Sequence, residues 1–140
     1  MQLFNTRTGT QAAVAQVPFY PFRGALSLVL SPDRMRIAVL TPIEAIQPTQ
    51  DGAAPHHDED WHVEKRPGFV HLGAGQKVRW ARLPDQARYP VELFNWSPDS
   101  ATVALRARAR AGDKEASLFV AAAENLRVEA WGAGGVACSV

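Results

Sequence analysis

A chain of 140 residues, 46% hydrophobic and 21% charged, has the mixture of a single globular domain, which excludes a disordered or fibrous class. With 15 basic against 14 acidic residues and a formal net charge of +1, it has no general attraction for nucleic acid or an anionic membrane. The one cysteine, Cys138, has no intrachain partner and demands no oxidising compartment. No run approaches the roughly 18 apolar residues of a spanning helix, and Met1 to Gly9 lacks the basic start and apolar run of a secretory signal. The expectation is one soluble, cytoplasmic all-β domain over residues 1–140, with neither nucleic acid nor membrane insertion among its partners.

In chain order, the first predicted element is a hairpin over residues 2–17, with Thr6-Arg7-Thr8-Gly9 as its turn. A first strand-rich unit follows over 25–83. Ala25 to Leu30 and Arg36 to Leu40 are strand-forming runs on either side of Ser31-Pro32-Asp33. Proline presets φ for the first central position of a turn, and serine and aspartate bond nearby backbone amides. Phe69 to Leu72 and Lys77 to Trp80 read as a second hairpin around Gly73-Ala74-Gly75-Gln76. Between them, residues 41–67 form an insertion loop.

The second unit, over 91–131, repeats the first. Leu30-Ser31-Pro32-Asp33-Arg34-Met35-Arg36-Ile37-Ala38-Val39 aligns without gaps on Trp96-Ser97-Pro98-Asp99-Ser100-Ala101-Thr102-Val103-Ala104-Leu105, an offset of 66. The hairpin of Leu118 to Val120 and Leu126 to Trp131, turning at Ala122 to Asn125, matches the earlier one at an offset of 50. The difference assigns about 16 extra residues to the insertion of the first unit. Ala116 to Val128 is rich enough in alanine to suggest helix, but the repeat outweighs a propensity that tertiary context overrides. Val136 to Val140 is a candidate for one further strand.

An apolar strand, Trp-Ser-Pro-Asp, an Ile-Ala or Val-Ala strand and then a hairpin resembles the WD40-like repeats of TolB-type β-propellers. The propeller domains of prolyl-oligopeptidase-like peptidases look similar. The resemblance spans residues 2–131 and implies that each unit is a four-stranded antiparallel blade, with Trp96, Leu30, Val39 and Leu105 packed between blades. Propellers close with about four to eight blades, whereas this chain supplies two and a half. The resemblance therefore implies a partial propeller completed by self-association or by a protein partner. A β-sandwich in which the two units face each other is the alternative.

The chemically richest stretch is Pro55 to His62, where His56, His57, Asp58, Glu59, Asp60 and His62 are types that bind a transition metal. Its spacing matches neither His-Glu-x-x-His nor a calcium loop, and a solvated polar loop anchored by Trp61 is the preferred reading. Asp33 and Asp99 read as turn formers. No Gly-x-Ser-x-Gly elbow or phosphate loop is present. Arg106, Arg108 and Arg110 alternate with alanine, as on the solvated face of an outer strand that discourages edge pairing. Trp80, Trp96 and Trp131 are expected in the core.

These features assign no catalytic, cofactor-binding or metal residue. The leading expectation is a non-enzymatic protein-interaction or scaffolding module. A metal-dependent hydrolase using the histidine-rich loop, or a regulatory propeller fragment of a serine peptidase, are the alternatives.

Overall fold

The computed structural model describes residues 2–13, 27–42, 64–73 and 77–132. These form ten strands: β1 (Gln2–Phe4), β2 (Gln11–Ala13), β3 (Ser27–Leu30), β4 (Arg36–Pro42), β5 (Lys65–His71), β6 (Arg79–Trp80), β7 (Tyr89–Trp96), β8 (Thr102–Arg108), β9 (Ser117–Ala122) and β10 (Val128–Ala130). A single 3-10 turn, Asp85–Ala87, is the only helical element among the described residues. The fold is all-β, as the alternation of the sequence requires. β1 and β2 pair as a two-stranded ribbon, and the rest forms two four-stranded antiparallel meanders, β3-β4-β5-β6 and β7-β8-β9-β10, neither closed into a barrel.

In both meanders a Ser-Pro-Asp turn joins the first two strands, and the two turns share three side-chain bonds. The Ser31 hydroxyl donates to Asp33 Oδ1 and accepts from the Arg36 N–H, while the Met35 N–H donates to Asp33 Oδ1. Ser97, Asp99, Thr102 and Ala101 make the same three bonds. Each turn then passes through a residue of left-handed backbone, Arg34 at φ 61° and Ser100 at φ 58°. Two short polar side chains thus satisfy the amides that a tight reversal leaves unpaired.

The register of the strands corrects the repeat. Ile37 pairs with Val70 and Val103 with Ala121, so the third strands are related by 51 residues rather than 50. Ala81 N–H donates to the Pro67 carbonyl and Trp131 N–H to the Leu118 carbonyl, so the last strands keep the offset of 50. The hairpin of the second unit is therefore one residue shorter. Matching the hairpins at a single offset places Phe69 on Phe119, whereas pairing aligns Phe69 with Val120. Because side chains alternate across a strand, a one-residue slip exchanges the two faces.

The insertion is also narrower than residues 41–67. Thr41 pairs with Arg66 and Pro42 with Lys65, so the interval between paired strands is 43–64. Pro42 and Pro67 lie inside these strands and are buried. Of the predicted 2–17 hairpin, pairing is described from Gln2↔Ala13 to Phe4↔Gln11. Residues 14–17 and the suggested strand at Val136 to Val140 lie outside the described residues. The alanine-rich segment is strand, Ser117–Ala122, with Phe119 and Ala121 buried. An alternating side-chain pattern facing a core outweighs the helical preference of alanine.

The two meanders share one core, with β7 lying against β3, β4 and β5. Ala38, Leu40 and Phe69 of the first meet Leu93, Trp96, Val103, Leu105, Phe119 and Ala121 of the second in one continuous core. Trp96 joins them: its ring meets Phe69 edge-on at 5.6 Å between centroids, and its Nε1–H donates to the Val29 carbonyl at 2.9 Å. The opposite face of the first sheet is buried at Ile37, Val39 and Val70. Leu30, expected between the units, is instead 51% exposed.

Candidate functional site

The internal repeat makes each face of one sheet comparable with the same face of the other. In the first sheet, Val29, Ala38, Phe69 and Ala81 form the seat on which the second sheet lies. Their counterparts, by the offsets of 66, 51 and 50, are Asn95, Ala104, Val120 and Trp131. These four residues line a groove of about 530 Å3 on the outer face of the second sheet. The seat that is filled in the first sheet therefore carries no sheet in the second among the described residues.

The chemistry of the groove follows from strand alternation. Val103, Leu105 and Ala107 of β8 point into the core, leaving Thr102, Ala104 and Arg106 on the outer face. The neighbouring β9 adds Leu118 and Val120 to that face, paired with Arg106 and Ala104. Trp131 follows β10 and is held by its backbone bond to Leu118 at 2.9 Å. Leu118 and Trp131 are each 46% exposed. The expected core position of Trp131 is thus corrected: it occupies a strand-end position whose counterpart, Ala81, is buried in the core that the two sheets share. Trp96 is a core residue at 7% exposure. Trp80 is half-buried over Gly68, where a Cβ would come within 2.7 Å of the indole.

The turns form a polar rim beside this face and join the two sheets. The Asp33 N–H donates to Ser100 Oγ at 3.0 Å, and Arg36 Nη1 donates to the Ser100 carbonyl at 2.8 Å. At the same end of the interface, Arg79 Nη2 donates to the Glu124 carbonyl at 2.7 Å, and Arg36 Nη2 lies 3.6 Å from Glu124 Oε2. The Ser31 hydroxyl and the Met35 N–H hold the Asp33 carboxyl below its ordinary pKa. Ser97 and the Ala101 N–H do the same for Asp99. Both carboxylates are turn formers.

The arginine stripe is not on an outer strand. β8 lies between β7 and β9, so it has no free edge to protect. Arg106 pairs with Glu92 across the outer face at 3.2 Å. Arg108 is half-buried with its Nε unpartnered, and Arg110 lies past the strand end, its N–H bonded to Asp113 at 3.0 Å. A polar cleft of about 500 Å3 sits elsewhere, beside Trp80, Arg66 and Arg82. There Arg88 pairs with Glu64 at 2.9 Å, which raises the guanidinium pKa above its ordinary value.

His56, His57, Asp58, Asp60 and His62, with Trp61 and Cys138, lie outside the described residues. Among the described residues no three histidine, cysteine or carboxylate side chains form a group able to hold a metal ion, and no helix is long and apolar enough to cross a membrane.

No family model, curated protein or solved structure matches this chain.

Proposed function

We propose that the chain is a non-enzymatic interaction or scaffolding module of propeller type, whose second sheet is covered in its working state by another protein surface. One observation carries this reading. The residues of the first sheet that seat a neighbouring sheet have counterparts in the second sheet that line an open, largely apolar groove. A contiguous apolar patch on a protein surface marks an interaction site or an aggregation hazard, and an array of repeats needs its terminal faces capped. The meander connectivity of both sheets and the matching turns accord with blade-like units.

Light scattering together with an environment-sensitive apolar dye tests the proposal. The expected result is either an assembly heavier than the 15.3 kDa chain that excludes the dye, or a monomer whose dye binding is abolished by Val120→Glu. A folded monomer that binds no dye has no open face for a partner, and the proposal then fails.

A further inference from the structure

Resting on the proposed interaction module, we infer that the occupant of the groove is a second copy of this chain, seated head to tail through its β3 strand and first Ser-Pro-Asp turn. The interface inside the chain specifies the contact. There, β7 lies against β3, with Trp96 against Phe69 and bonded to the Val29 carbonyl. Carried one unit further along the repeat, the seat becomes Asn95, Ala104, Val120 and Trp131. The residue that takes the place of Trp96 becomes Leu30, 66 positions earlier.

Three features of the first sheet suit that role. Leu30 is 51% exposed and Leu28, on the same face, is also exposed. Both belong to β3, an edge strand of its sheet, so a copy can reach them although Ile37, Val39 and Val70 on that face are already buried. The polar rim is complementary as well. Within the chain Ser100 sits against Asp33; in the repeated contact the counterpart of Ser100 is Arg34 and that of Asp33 is Asp99. Both are exposed, so a guanidinium of one copy meets a carboxylate of the next.

Such a contact uses two different surfaces on each copy. It is heterologous, growing into a ring if the rotation closes and a fibre if it does not.

A mixing experiment tests it on the full chain. Leu30→Glu removes the inserting surface and Val120→Glu removes the seat. Sedimentation should show the wild-type chain self-associated and each variant monomeric. An equimolar mixture of the two variants should form a one-to-one pair, because the Leu30 surface of one copy still fits the groove of the other. Circular dichroism and a single cooperative urea transition confirm that each variant is folded, with a midpoint below that of the wild type, which association stabilises. If Val120→Glu unfolds, Trp131→Glu replaces it. Association that persists in both variants, or a mixture that stays monomeric, overturns the head-to-tail contact. A wild-type monomer that binds the apolar dye overturns the second copy as occupant while leaving the interaction module standing; a monomer that binds no dye overturns both.

Discussion

The two sheets share connectivity and turn chemistry, yet equivalent positions have opposite fates. Ala81 in the first sheet is buried, whereas its counterpart Trp131 is 46% exposed. Phe69 is in the core; its counterpart Val120 is only half-buried at the wall of a groove. The difference lies in the neighbour: one face carries a sheet and the other carries none within the described residues. Burial is a property of the stacking, and the repeat supplies only the surfaces that stack.

The sharpest way to break this comparison is to remove the residue that fills the first seat. Trp96→Ala deletes the edge contact with Phe69 and the bond to the Val29 carbonyl, and should cost about 3–5 kcal/mol in urea unfolding. In a Leu30→Glu background, which is monomeric on the proposed contact, Trp131→Ala on the open seat should change stability by less than about 0.5 kcal/mol. Equal losses would mean that the second seat is also filled.

Gly68 tests the close approach that lets Trp80 lie against β5. A Cβ there would stand 2.6 Å from Val78 Cγ1 and 2.7 Å from the Trp80 ring, so Gly68→Ala should destabilise by about 1–3 kcal/mol through overpacking. Gly112→Ala, which meets nothing within 4 Å, is the matched control and should be nearly neutral in the same measurement.

Arg34 and Ser100 hold the same left-handed position in the two turns, but only Ser100 accepts a bond from the other sheet. Arg34→Gly relieves the backbone and should raise stability by up to about 1 kcal/mol, the relief partly offset by the greater freedom of glycine in the unfolded chain. Ser100→Gly gains the same relief and loses a hydrogen bond of about 1 kcal/mol, so its thermal midpoint should stay near wild type. A gain at both positions would show that the bond between the sheets contributes little.

The smallest effect concerns pH. Asp33 and Asp99 have carboxyl pKa values lowered in the folded chain by Ser31 and Ser97 and by backbone N–H groups. In the unfolded chain they return to about 3.9. Near and below that pH the unfolded chain binds more protons than the folded one, so stability rises with pH there. The contribution is present above the unfolded value and is lost as pH falls through the lowered folded values. A urea series between about pH 5 and pH 2 should show this decline, and Asp99→Asn should make it shallower.

Much of the local architecture was legible in the residues. The turn at Ser97-Pro98-Asp99 is closed by bonds spanning two to five residues, so its cause lies in the sequence beside it. The alternation Val103, Leu105, Ala107 against Ala104 and Arg106 likewise announces a strand with one core face. The candidate site was not legible. Asn95, Ala104, Val120 and Trp131 come from four strands or their ends, and aligning them with the first sheet needs the one-residue difference between the hairpins. A single offset of 50 puts Phe119, a core residue, where Val120 belongs.

The sequence alone determined the all-β class and the two repeated turns, because strand alternation and the turn bonds both arise among residues close in the chain. Only the tertiary structure decided which tryptophan is covered, which strand is interior and which face stays open. Those outcomes depend on the stacking of one sheet on another, where a shift of one residue turns every side chain to the opposite face.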